Sequence, residues 1–280
     1  MGGIDLHAHT TCSDGTFTPT ELVELAVARG LSVLGLTDHD TTDGLEEAEG
    51  AAEGSSVEIV PGVELSTMYE GSSVHVLCYW MDRSNPDLQA ELERLREDRF
   101  HRGERMVEKL QALGYPVTFE RVREIAAGGN VVRPHVAQAL VEAGVVATEE
   151  DAFTEELIAD GGRADVPKHA LPPLDALDLI TSARGVCVLA HPGMWAGQGS
   201  VPDGLIEAMA ERGMAGLEAD HPDHTAEQRE LYRTLAASLG IVATGASDCH
   251  GIRYDPVRLG TVTTDPGQFA ALRERAPALS

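Results

Sequence analysis

The sequence predicts an α/β fold built on a parallel sheet, and three observations carry that prediction. Short apolar, often β-branched runs alternate with segments of helical period. Several of these runs end directly in His or Asp. One block, residues 86–165, is nearly all helical in period and interrupts the alternation. Repeated βα units imply right-handed crossovers, and both an open doubly wound sheet and a barrel satisfy them.

Residues 4–6 form a first strand that runs into His7-Ala8-His9. Thr18, Pro19 and Glu21 then open a helix as cap, first-turn proline and capping-box acid, and Gly30 closes it. Residues 31–37 are a second strand, ending in Asp38-His39-Asp40, and 45–53 a short helix. Two more strands follow at 57–65 and 73–80. The helical block contains a long charged helix, 88–113, and shorter ones at 118–127, 134–143 and 149–158. Alternation resumes with helices at 174–183, 203–212 and 226–239 and strands at 185–190, 215–219 and 241–244. An apolar run at 259–263 and a helix at 266–275 end the pattern.

The 280 residues are 42% hydrophobic, enough for a sizeable core, so disorder is excluded as a description of the whole chain. Lys and Arg number 21 against 46 Asp and Glu, a formal charge of −25. With 4% aromatics, that charge argues against long nucleic acid as a partner, which needs basic grooves and stacking rings. No apolar run approaches the roughly 18 residues of a membrane span, so no membrane partner is expected. The first residues lack a basic region followed by an apolar stretch, so no signal peptide is expected. Cys12, Cys78, Cys187 and Cys249 form no CxxC pair and read as reduced thiols of a cytoplasmic protein.

The 11 His residues are placed unevenly. His7, His9, His39, His191 and His250 follow strands and His75 lies within one; Asp14, Glu64 and Asp248 fall at corresponding positions. In a parallel α/β barrel the C-terminal strand ends converge on one face, so residues distant in sequence meet there. Carboxylates gathered that closely repel one another unless cations intervene. A metal centre is the economical reading, and imidazole with carboxylate suits Mn, Fe or Zn. His7 and His9 are two apart, as are Asp248 and His250, so each pair shares a strand face. Asp38 and Asp40 flank His39, where either can orient the imidazole or cap the loop.

Four motifs in this order resemble the PHP (polymerase and histidinol phosphatase) family: HAH at 7–9 with Ser13-Asp14-Gly15, TDHD at 37–40, AHP at 190–192 and SDCH at 247–250. PGVE at 61–64 and His75 fill the intervening positions. The resemblance implies a distorted (β/α)7 TIM-like barrel from residues 1–85 and 166–280, with 86–165 a helical insertion domain covering the active site. It also implies two or three divalent ions. His7, His9, Glu64 and Asp248 would hold one. Glu64, His75 and His191 would hold a second, with Glu64 bridging, and Asp14, His39 and His250 a third. Two ions ~3.5–4 Å apart share a hydroxide, here at Glu64, that attacks phosphorus in line. His224 is the expected general acid, with His221 the other candidate after the strand at 215–219.

Substrate contacts are expected from basic residues, which are scarce in this chain. Arg133 opens the helix at RPH and is the first candidate for a non-reacting phosphate. Arg99 and Arg102 share a face of the long helix, and His135 and Lys168 lie near the ends of the block. The insertion with its RPH segment resembles the nucleotide-acting subgroup, so a nucleoside 3′,5′-bisphosphate phosphatase is expected. The alternatives are a 5′-3′ exoribonuclease on short RNA, a histidinol-phosphate phosphatase, and a non-catalytic polymerase-associated module.

Overall fold

In the computed structural model, β1 (Gly3–Asp5), β2 (Leu31–Leu36) and β3 (Glu58–Tyr69) pair in parallel. The structure describes residues 2–127, 131–159, 161–166, 170–195 and 199–276. Helices α1 (Pro19–Ala28) and α2 (Leu45–Ala52) make the two crossovers. The expected capping box forms: Glu21 N–H donates to Thr18 Oγ1 at 3.2 Å and Thr18 N–H to Glu21 Oε2 at 2.9 Å.

β3 then departs from the all-parallel expectation. It turns through Glu70 and Gly71, both at positive φ (47° and 82°), and pairs antiparallel with β4 (Ser72–Tyr79). Two residues suffice for a hairpin whose turn matches strand twist, whereas a parallel return needs roughly a dozen or more. β4 is also antiparallel to β5 (Val186–Leu189), so a single strand is reversed in the sheet. β5, β6 (Gly216–Asp220) and β7 (Val242–Gly245) are parallel again.

The seven strands lie in chain order. Beyond β1 and β7 the chain closes on itself: Ala8 bridges Cys249, with His9 N–H donating to Cys249 O at 2.9 Å. At the opposite end Thr264 fills the gap, donating its N–H to Ile4 O at 2.8 Å and its hydroxyl to Gly245 O at 2.7 Å. The result is a distorted seven-stranded barrel. The apolar run at 259–263 serves this closure and forms no strand. Asp5 anchors the seam, accepting N–H groups from His7 (3.4 Å), Ser247 (3.0 Å) and Gly260 (2.8 Å).

The insertion carries α3 (Pro86–Ala112), α4 (Phe119–Ile125) and α5 (Arg133–Glu142). Leu88, Leu92 and Leu95 of α3 belong to the barrel's apolar cluster, while Met106, Val107 and Leu110 join Val122, Val136, Leu140 and Ile158 in a second one. The same helix therefore leaves the barrel and starts a separate core. The helix expected at 149–158 is only a short 3-10 turn, Glu150–Ala152. Asp151 Oδ2 instead accepts the N–H and hydroxyl of Thr148, local bonds that compete with a helical ladder. Helices α6 (Pro173–Ser182), α7 (Asp203–Glu211), α8 (Ala226–Leu239) and α9 (Pro266–Arg273) complete the chain. Among the described residues, no helix is long and apolar enough to cross a membrane.

Candidate metal centre

The strands and the loops that follow them bring nine predicted side chains to one place. His7 and His9 follow β1 and His39 follows β2, while Glu64 lies in β3 and His75 in β4. His191 follows β5, and Asp248 and His250 follow β7. Asp14 arrives on the loop after His9, which folds back tightly: a Cβ on Gly15 would lie 2.3 Å from His9 O. Only glycine permits that approach. Asp38 secures the same loop, accepting Thr10 N–H at 2.8 Å and the Thr10 and Ser13 hydroxyls at 2.7 and 2.5 Å. Asp40 accepts Ser66 N–H at 2.7 Å. Both acids flanking His39 thus brace backbone.

His7 Nε2 and His9 Nε2 are 3.0 Å apart. Each lies 3.3 Å from Glu64 Oε2 and 3.2–3.3 Å from Asp248 Oδ1. The other Glu64 oxygen, Oε1, faces His75 Nδ1 at 2.9 Å and His191 Nε2 at 3.2 Å. His39 Nδ1 is 2.9 Å from Glu64 Oε2, and His250 Nε2 is 3.2 Å from Asp14 Oδ1. Ligand atoms fall within 4.8 Å of one another in three sets: His7, His9 and Asp248; His39, Glu64 and His75; and His9, Asp14, His39 and His250. His39 thus joins Glu64 and His75 in one set, while His191 faces the same Glu64 oxygen as His75.

The donor set fits divalent cations. Asp14 Oδ1, Glu64 Oε2 and Asp248 Oδ1 are buried and make no hydrogen bond of acceptable geometry, although imidazole nitrogens lie 2.9–3.8 Å away. Lone pairs there converge on common points, and spacings near 3 Å suit ligand atoms about 2.0–2.2 Å from one ion. Burial opposes the charge on Asp14, Glu64 and Asp248, but the surrounding imidazoles outweigh it and hold all three well below the usual carboxylate range. Burial likewise opposes charge on His9, but the adjacent Asp248 and Glu64 carboxylates outweigh it and push His9 up to about 10. Such mutual stabilisation of charge is what a bound cation would replace.

The PHP domain family matches residues 5–117. The chain is 34% identical over 246 residues to a 5′-3′ exoribonuclease of Haemophilus influenzae, covering 88% of this chain and 89% of the relative. The chain belongs to the PHP family. A 3′,5′-nucleoside bisphosphate phosphatase of Chromobacterium violaceum is 33% identical over 252 residues, 89% of this chain and 88% of that one. A crystal structure from Bifidobacterium adolescentis, provisionally named a metal-dependent phosphoesterase, superposes with TM-score 0.92 at 35% identity, covering 99% of this chain and 98% of that one. The protein is accordingly a PHP phosphoesterase, a hydrolase of phosphoric esters.

The PHP centre opens into a cavity of about 350 Å³. Arg102, Arg133 and Phe153 of the insertion line it together with His39, Glu64 and His191. Arg133 sits over the Phe153 ring, 5.8 Å from its centroid. Arg102 spends Nε on Val166 O and Nη2 on Asp165 Oδ1 (3.1 Å), which weakens it as a substrate contact. His135 is buried, and its Nδ1 accepts Val132 N–H at 3.3 Å; it caps α5 and does not line the cavity. Lys168 lies outside the described residues, as does the Arg99 side chain.

His224, the expected general acid, is corrected. Its Nε2 accepts Gly193 N–H at 3.1 Å, so Nδ1 carries the proton and donates to Ala219 O at 3.0 Å. Burial lowers its pKa, and it does not line the cavity. His221 is the one that reaches the centre. Its Nδ1 accepts Asp223 N–H at 3.2 Å, leaving Nε2 to donate to Asp248 Oδ2 at 3.4 Å.

Two further residues escaped the sequence reading. Glu218, buried inside β6, touches His7 and the backbone of His191. Its signal was a lone acid in the apolar run AGLEA. Arg253 donates to Asp14 O at 2.9 Å and to Glu149 Oε2 at 3.0 Å, tying the insertion to the Asp14 loop.

Proposed function

We propose that this PHP phosphoesterase removes the 3′-phosphate of nucleoside 3′,5′-bisphosphates. The carrying observation is the cavity of about 350 Å³, lined both by residues of the ligand cluster and by Arg133. That volume is at the low end for small-molecule sites and suits a nucleotide better than a long polymer. Such a substrate has two phosphates and asks for two separate anion sites. The cluster takes the reacting phosphate; Arg133, at the first turn of α5, takes the other. Phe153 and Met194, both 41% exposed on the cavity wall, offer apolar contact to the nucleoside. The block 86–165 acts as the lid domain that supplies Arg133 and Phe153.

His7, His9, Asp14, His39, Glu64, His75, His191, Asp248 and His250 would hold two or three ions, of Mn, Fe or Zn. Bound there, the ions would supply Lewis acidity toward phosphoryl oxygens and lower the pKa of water. The chain's own residues set the geometry. Glu64 turns one oxygen to His7, His9 and His39 and the other to His75 and His191, so it would be the carboxylate shared between ions. His221 donates to Asp248 and holds its carboxylate in place. Arg133 fixes the non-reacting phosphate, which orients the ester toward the cluster.

Trimming of short 5′-phosphorylated RNA is the second reading, favoured by the similarity to an exoribonuclease. Steady-state turnover by Mn-loaded protein of adenosine 3′,5′-bisphosphate, a 5′-phosphorylated trinucleotide and histidinol phosphate separates the readings. The bisphosphate should have the highest kcat/KM. A tenfold preference for the trinucleotide establishes the second reading, and a tenfold preference for histidinol phosphate overturns both.

A further inference from the structure

Glu218 is buried, yet its carboxylate touches no solvent, no cavity wall and no arginine among the described contacts. Both of its oxygens are engaged by groups belonging to candidate ligands. Oε1 lies 3.1 Å from His7 Nδ1, and Oε2 accepts His191 N–H at 2.8 Å. A carboxylate on Nδ1 fixes the imidazole tautomer: the proton stays on Nδ1, and the Nε2 lone pair faces His9 Nε2 and Asp248 Oδ1.

The second contact acts on backbone. His191 has φ +26°, a left-handed conformation that residues carrying a Cβ adopt only at a cost. Its N–H has a charged acceptor in Glu218, which holds the strained segment so that Nε2 reaches Glu64 Oε1 at 3.2 Å. The two rings lie stacked, 5.8 Å between centroids at 19°. One carboxylate therefore sets a ring orientation after β1 and a backbone position after β5.

We propose that Glu218 is a positioning residue that couples two ligands on different sides of Glu64. This inference rests on the cluster being the metal centre. Glu218→Gln is the informative variant, because both partners are N–H donors. A glutamine oxygen accepts from one of them, and its NH₂ then confronts the other. The variant should weaken ion binding about 10–100-fold, the range for loss of such outer contacts.

The test titrates chelator-stripped protein with Mn²⁺ by calorimetry and records the melting temperature of the ion-free form. Wild type is measured first; if it binds no Mn²⁺, the metal-centre reading fails and the inference falls with it. If wild type binds and Glu218→Gln binds 10–100-fold more weakly, with an ion-free melting temperature within a few degrees of wild type, the inference stands. Unchanged affinity, whatever the melting temperature, overturns it and makes Glu218 a structural acid only. Glu218→Asp, which keeps the charge but shortens the reach, should fall between the two; affinity as low as in Glu218→Gln despite a retained charge supports reach to both partners as the requirement.

Discussion

His39 stands between two groups of ligands: its Nδ1 is 2.9 Å from Glu64 Oε2, and its Nε2 is 3.9 Å from Asp14 Oδ2. One imidazole offers a nitrogen to each side. His39→Ala should therefore lower ion content by more than one site's worth of binding, together with activity. Elemental analysis of the purified variant checks this. Loss of a single ion at full occupancy of the rest would restrict His39 to one side.

Arg133 is assigned to the phosphate that does not react. Charge-assisted hydrogen bonds of that kind contribute about 1.5–3 kcal/mol, or roughly 10–100-fold. Arg133→Ala should raise KM for adenosine 3′,5′-bisphosphate by that factor and leave adenosine 3′-phosphate nearly unchanged. An equal effect on both substrates would contradict the assignment.

Ion binding should release protons. Burial opposes charge on His7, His9, His191 and His250, but the neighbouring carboxylates outweigh it and raise all four. At neutral pH the ion-free His9 imidazole is therefore protonated, and it must lose that proton to ligate. Affinity for Mn²⁺ should rise with pH. A raised imidazole stabilises the ion-free fold fully below its ordinary value of 6.5, and the contribution fades as pH climbs through the folded value, about 10 for His9. The ion-free melting temperature should thus fall as pH rises through that window. Calorimetry in buffers of different ionisation enthalpy counts the protons released; a count of zero would contradict the picture.

Asp5 is predicted to matter for stability. Asp5→Ala leaves the N–H groups of His7, Ser247 and Gly260 without their buried acceptor. The cost should be roughly 2–4 kcal/mol, seen as a melting temperature lower by about 5–15 °C. A shift within one degree would show that the barrel seam is held elsewhere.

What could be read from sequence follows from which forces are local. The convergence of these residues was legible because His and Asp follow apolar runs, as in His7-Ala8-His9 and Asp248-Cys249-His250, and strand ends of an α/β barrel converge. Thr18 and Glu21 announced α1 because a capping box is a contact within four residues. The reversal of β4 was missed although the gap at 66–72 is too short for a helical crossover. The failures at the site have one cause. His135 and His224 are engaged by backbone N–H groups of Val132 and Gly193, and a residue pattern does not reveal which nitrogen a fold will occupy. Glu218 was overlooked because its partners, His7 and His191, lie 211 and 27 residues away in sequence.

The central claim is that the cluster around Glu64 is the metal centre of this PHP phosphoesterase. Anomalous diffraction at the manganese edge from Mn²⁺-soaked crystals tests it most directly. The account predicts peaks among His7, His9, Glu64 and Asp248 and on the side of Glu64 that faces His75. A cluster empty of anomalous density at saturating Mn²⁺, with ions bound elsewhere or nowhere, would contradict it.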